Sequence, residues 1–178
     1  MQTDIKILCT YDKLEPVEKL VENPKNPNRH PEKQIALLAK IIKAQGFRRP
    51  IVVSKRSGFI IVGHGRFAAA KYLGMDFVPV DYQEYENEAA EWADMVADNK
   101  IAELAEFDNA ALTDMIDELN AAVEEFDEEL LGIAQADIDK LMGRLERAEQ
   151  KNNTQEIDLS GFDDAAFEHT CPRCGFKF

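Results

Sequence analysis

The apolar positions of the chain change period several times, and each change marks an element. Residues 5–8, Ile-Lys-Ile-Leu, have a β-favouring look and predict a first strand. Residues 23–31 hold three prolines and three asparagines in nine positions, which predicts a loop. Pro31 suits the start of a helix, Ile35, Leu38 and Ile42 recur at helical spacing, and Gly46 supplies a stop. Two short β-rich runs, 50–54 and 59–62, flank Lys55-Arg56-Ser57-Gly58 and predict a hairpin. Gly63-His64-Gly65 then ends the second strand, residues 66–73 read as a short helix closed by Gly74, and 77–82 read as a further strand, edge or irregular because of Pro79.

From about 87 to 132 the pattern turns helical and acidic. Trp92, Met95, Val96, Ile101 and Leu104 predict one buried side, and Leu112, Met115, Ile116 and Leu119 another, so that two or three helices pack onto the strands. Further acidic helical stretches are read at 124–131 and 136–149, followed by a linker at 151–155. No internal repeat is present. The fold class that follows is α+β: a small mixed β-sheet with packed helices over residues 1–105, an acidic helical extension over 106–150, and a linker with a Cys-x-x-Cys tail over 151–178.

A length of 178 residues suits one well-buried domain with additions, and 45% hydrophobic with 31% charged residues places the chain among folded proteins. No apolar run reaches the roughly 18 residues of a membrane span, and the first residues lack a signal peptide's apolar stretch, so no membrane partner and a cytoplasmic location are expected. Cys9, Cys171 and Cys174 do not make a disulfide framework. The net charge of −13 argues against nucleic acid until it is divided. Residues 1–80 hold 14 Lys or Arg against 7 Asp or Glu, a net of +7, and the remainder hold 7 against 27, a net of −20. The acidic half reads as a solvated helical surface or as a shield for the basic one.

The chemistry concentrates at Gly63-His64-Gly65-Arg66. A strand that passes through glycines straight into a helix gathers unpaired N–H groups and the positive helix end at one point, where a phosphate is favoured. Gly63 and Gly65 let backbone approach the ligand, Arg66 can fork onto phosphate oxygens, and His64 adds a titratable donor.

The succession Asn26-Pro27-x-Arg29, Gly46-Phe47-x-x-Pro50-Ile51-Val52-Val53, a hairpin, Ile61-Val62-Gly63-His64-Gly65-Arg66-x-x-Ala69-Ala70-x-x-Leu73-Gly74 and Val78-Pro79-Val80 resembles the ParB/sulfiredoxin superfamily. That resemblance implies a nucleoside triphosphate, CTP or ATP, held with Mg2+ at the glycine box. ParB-type proteins carry Gly-Glu-Arg-Arg there, so Gly63 and Arg66 match while His64 and Gly65 depart, which favours binding over CTP hydrolysis. A second family box, Glu-Asn-x-x-Arg, is echoed by Asp98-Asn99-Lys100-Ile101-Ala102, which implies Asn99 beside a metal-bound phosphate. Sulfiredoxin chemistry is excluded, because it needs a cysteine inside the glycine box, and Cys9 reads as a small buried residue.

The helices after residue 87 are acidic and unlike a DNA-reading helix, but Arg29, Lys43, Arg48, Arg49, Lys55 and Arg56 are placed to touch DNA backbone. Cys171-Pro172-Arg173-Cys174-Gly175 has the spacing of half a zinc ribbon. Since structural Zn2+ needs four ligands, a homodimer sharing one ion is expected. The function read from these features is a ParB-like nucleotide-binding module in a DNA transaction (modification, partition or packaging) of a phage or mobile element, in a bacterial cell or infected host. Two alternatives stand beside it. One is a ParB-like nuclease or NTPase with His64 as acid or base and Asp98 or Asn99 on magnesium; the other is an adaptor for a DNA-modifying enzyme.

Overall fold

The computed structural model describes residues 5–133 together with Ile138, Lys140, Gly143, Pro172 and Arg173. The chain divides into two compact units, Met1–Leu141 and Met142–Phe178, and every element below lies in the first.

Strands β1 (Lys13–Pro16), β2 (Val21–Glu22), β3 (Ile51–Ser54), β4 (Phe59–Val62) and β5 (Phe77–Gln83) form one sheet in the order β1-β5-β3-β4-β2. Pairing is mixed: β1 with β5 and β3 with β4 run antiparallel, whereas β3 with β5 and β2 with β4 run parallel. Helices α1 (Glu32–Gln45) and α2 (His64–Tyr72) pack on each other and, with the sheet, enclose the core. Ala39 and Ile42 of α1 and Phe67, Ala69 and Ala70 of α2 meet Phe47, Ile51, Val53, Ile60, Val78 and Val80 there. Each large side chain so enclosed contributes about 1.5–3 kcal/mol.

Side chains alternate across a strand, so Ser54 stands on the face opposite Val53. Helix α3 (Glu88–Glu103) covers that second face, packing on β4 with Met95 and Glu91 buried. Helix α4 (Asn109–Ala122) follows, capped by Asp108, whose side chain accepts from the amides of Ala110 and Ala111. A 3-10 turn at Glu128–Leu131 lies against α1. Lys40 pairs there with Asp127 at 2.6 Å and with Glu129, and Gln45 Nε2 donates to Leu130 O at 3.0 Å. No helix among the described residues is long and apolar enough to cross a membrane.

The mixed sheet with packed helices agrees with the sequence reading, and several elements correct it. Residues 5–8 make one isolated parallel bridge, Ile7 to Phe47, because only the turn after α1 is there to pair with. The outer strands are instead β1 and β2, too short and irregular to leave a period-two pattern. Strand β5 is interior. The carbonyl of Val80 and the amide of Tyr82 both serve the β1 side, so by alternation the nitrogen of Pro79 faces the β3 side. It sits there one residue before pairing begins at Ile51 and Val80, and no sheet hydrogen bond is lost. Helix α2 starts at His64, not Arg66. Of the five apolar residues read as one buried side at and just beyond α3 only Met95 is buried; Trp92, Val96, Ile101 and Leu104 are exposed. On α4 Ile116 is buried and Met115 exposed. Of the stretch 124–131 only Glu128–Leu131 is helical, as the short 3-10 turn, and most of 136–149 lies outside the described residues.

Candidate phosphate-binding site

Helix α2 begins without a side-chain cap. Its N-cap is Gly63, at φ 99° and ψ 24°, a left-handed conformation that a residue with a Cβ adopts only under strain. The amide of Phe67 reaches back to Gly63 O at 2.9 Å, which leaves the preceding first-turn amides without intrahelical acceptors. Those amides and the positive end of the helix dipole open on a cavity of about 240 Å³ lined by Gly63, His64, Gly65 and Arg66.

Arg66 folds back over its own helix start. A Cβ on Gly63 would stand 2.9 Å from Arg66 Nη2, so glycine is required for the guanidinium to lie there as well as for the turn. Nη2 donates to Pro50 O at 3.1 Å, while Nε is buried with no hydrogen-bond partner. Burial lowers the affinity of this guanidinium for its proton, and the nearby Asp98 carboxylate opposes that shift. An orphaned, charged donor set is costly unless an anion satisfies it.

Gly65 occupies the first turn of α2 at the point where His30 comes closest. A Cβ there would lie 3.3 Å from His30 Cε1 and 3.4 Å from Nδ1 and from Leu38 Cδ2. The His30 ring is oriented by Gln34, whose Oε1 lies 3.1 Å from Nδ1, so Nδ1–H donates and Nε2 is the other ring nitrogen left for a ligand. Asn26 and Asn28 come from the proline-asparagine loop and also line the cavity. That loop is folded by local bonds, Lys25 N to Asn23 Oδ1 at 2.9 Å and Asn28 N to Asn26 Oδ1 at 3.1 Å.

His64 is 5% exposed, and its Nε2 accepts from the amide of Asn23 at 3.4 Å. Burial, reinforced by the neighbouring His30, pushes its pKa down to about 4. The imidazole is therefore neutral at physiological pH and docks the loop onto α2. A group with that pKa and an occupied nitrogen is poorly matched to acid–base work near pH 7.

Asp98 and Asn99 enter from α3. Asn99 Nδ2 donates to Met95 O at 3.0 Å, which leaves its carbonyl oxygen for the cavity. Among the described residues no group of three His, Cys, Asp or Glu side chains could hold a metal by itself. One carboxylate and amide oxygens beside a phosphate do fit Mg2+, which is commonly held by one or two carboxylates plus phosphate oxygens. Asp98 and Asn99 are the residues that would hold it.

The structure thus brings Gly63, His64, Gly65, Arg66 and Asn99 into one cavity. The basic residues read as DNA contacts separate into two kinds. Arg56 grips Glu91 through Nε at 3.1 Å and Nη2 at 3.0 Å, and Lys55 pairs with Glu84 at 3.2 Å. Arg48 donates only to Gln45 O at 3.1 Å, and Arg49 lies within electrostatic reach of Arg66. Cys171 and Cys174 lie outside the described residues. Sequence reasoning did not single out Asn26, Asn28, His30 or Gln34 for the site. The available signal was His30 and Gln34 one helical turn apart, next to an asparagine-rich loop.

A curled mixed sheet whose β4–α2 junction presents an uncapped helix start, an arginine and an amide-rich rim defines a small anion-binding domain. Residues 12–100 match the ParB N-terminal domain, and the chain belongs to that family. It is 40% identical over 65 residues to the ParB-like nuclease domain-containing protein YnaK of Escherichia coli (strain K12), covering 36% of this chain and 74% of that protein. In fold it is similar to the C-terminally truncated chromosome-partitioning protein ParB from Caulobacter crescentus complexed with CTP-gamma-S. That match has a TM-score of 0.55 and 24% identity over 66% of this chain and 67% of the other. The same protein complexed to the centromeric parS site aligns with a TM-score of 0.43 and 21% identity over 74% and 70% of the two chains.

Proposed function

We propose that this chain is a nucleotide-binding module whose cavity takes the phosphate tail of a nucleoside triphosphate with Mg2+, serving a DNA transaction of a phage or mobile element. The observation that carries the reading is the uncapped start of α2 beneath the buried, under-satisfied Arg66, in a cavity shared with Asp98 and Asn99. Its volume of about 240 Å³ lies below the range of roughly 300–1,000 Å³ usual for whole small-molecule ligands, so it suits a phosphate tail with the nucleoside outside. CTP is the first nucleotide to test, because a protein of the same fold was solved with CTP-gamma-S. Calorimetric titration with CTP, ATP and GTP in the presence of magnesium decides the matter. Binding of one of them that is lost in Arg66→Ala supports the reading, and no binding by any of them ends it.

DNA backbone contact through Arg48 and Arg49 belongs to the same proposal, as does a cytoplasmic location. Zinc shared between two copies through Cys171 and Cys174 is a separate part of it, tested by metal analysis with native mass measurement. Exposed apolar residues on α3 and beyond, including Val96, Ile101, Leu104 and Phe107, favour a second reading as an adaptor for a DNA-modifying enzyme. Loss of such an enzyme's association in Ile101→Lys/Leu104→Lys, with nucleotide binding kept, would support it.

A further inference from the structure

Helix α3 carries two site residues and has few anchors. Glu91, Met95, Asp98 and Asn99 are spaced i, i+4, i+7 and i+8, one stripe of the helix facing the body of the domain. Within that stripe Met95 and Glu91 are each 1% exposed, whereas most of the helix's other large apolar side chains face outward. A carboxylate is therefore one of the two deepest contacts that hold α3 in place.

Glu91 is gripped from the far end of the hairpin. Arg56 in the β3–β4 turn donates to both carboxylate oxygens, at 3.1 and 3.0 Å, and Ser54 Oγ at the end of β3 donates to Oε1. Ser54 Oγ in turn accepts from the amides of Arg56 and Ser57 at 3.1 and 3.2 Å, so the turn and the clamp are one network. Burial opposes the charge on Glu91, yet the bonds from Ser54 and Arg56 outweigh it and hold the carboxyl below the usual carboxylate range.

The clamp has leverage on the site. Seven residues of helix place Asp98 about 10 Å beyond Glu91, so a tilt of about 10° at the clamp moves Asp98 by roughly 2 Å. The other half of the cavity, Gly63 and Arg66, is fixed independently by the α2–β4 junction and by Pro50 O. We infer that Glu91 is a positioning residue for the phosphate cavity: clamped by Arg56 and Ser54, it sets α3 so that Asp98 and Asn99 face the start of α2. Arg56 thereby serves the nucleotide site through Glu91.

This inference rests on the nucleotide reading above, and it separates the magnesium-dependent part of binding from the rest. The test titrates the full chain with CTP, with and without magnesium, or with whichever triphosphate the wild type binds. Glu91→Ala and Arg56→Ala are expected to lose tenfold or more of the affinity that magnesium adds. Affinity without magnesium should stay within about twofold, because Gly63 and Arg66 are untouched. Glu91→Gln keeps the side-chain length and one acceptor oxygen but turns an amide NH2 toward an Arg56 donor, so it should recover part of the loss. A uniform loss with and without magnesium, or no recovery in Glu91→Gln, would reduce Glu91 to a fold residue and overturn the inference, as would unchanged affinity in Glu91→Ala. If Glu91→Ala does not fold, Ser54→Ala and Arg56→Lys carry the same comparison. A wild type that binds no nucleotide fails the site reading itself and takes this inference with it.

Discussion

Three residues at the start of α2 divide the work of the cavity between backbone and side chain. Gly63 turns the chain, Gly65 admits the His30 ring, and Arg66 supplies the charge. Gly65 has an ordinary helical backbone, so alanine is tolerated there and gains helix propensity; the penalty falls on His30, which the new Cβ would displace. Gly65→Ala is expected to melt at or slightly above the wild-type temperature while binding nucleotide several-fold more weakly, a split that calorimetry and thermal melts together detect. His64 makes a different prediction. Its folded pKa of about 4 lies below the ordinary value of 6.5, so the unfolded chain takes up the proton first as pH falls. Its contribution is full above about pH 6.5 and is lost between 6.5 and 4, about 2 kcal/mol of it between pH 7 and pH 5. Denaturant unfolding at those two values should show that loss, and His64→Gln should flatten it. Gly63 and Arg66 were legible in the sequence because a helix start needs particular residues at particular places. His30 was not, because its approach to Gly65 joins two distant segments.

Among the elements, α1 and the β3–β4 hairpin were readable because each repeats its own period over a buried face. Val21–Glu22 holds two residues, and Lys13–Pro16 ends in proline, so neither strand has room for a pattern, and their places in the sheet follow from partners far along the chain. The opposite error arose at α3. An apolar pattern shows that a face exists, but Trp92, Val96 and Ile101 are exposed, while the helix is held by Met95 and a charged residue. That attachment makes the start of α3 worth testing. The Asn87 side chain caps it by accepting from Ala90 N at 2.9 Å. Asn87→Ala should lower global stability by about 1 kcal/mol in denaturant unfolding, with a smaller effect on nucleotide affinity than Glu91→Ala, because the clamp is left whole.

At the scale of the whole molecule, the net charge of −13 conceals a basic N-terminal half, and the structure decides which of its cations can still meet a polyanion. Arg56 is committed to buried Glu91, whereas Arg48 and Arg49 engage no carboxylate among the described residues. Arg29 and Lys43 carry the same sign of charge in the same half of the chain. If three or four of these cations neutralise DNA phosphates, the logarithm of affinity should fall with the logarithm of salt at a slope of about −3. Affinity for duplex DNA of arbitrary sequence would then drop roughly 50- to 100-fold between 50 and 200 mM salt. Fluorescence anisotropy over that range measures the slope directly. Arg48→Ala and Arg49→Ala should each reduce it by about one, and Arg56→Ala should leave it unchanged, because that guanidinium is already paired with both carboxylate oxygens of Glu91. A flat salt dependence would remove DNA backbone from the partners of this domain and leave the basic half to the phosphate cavity alone.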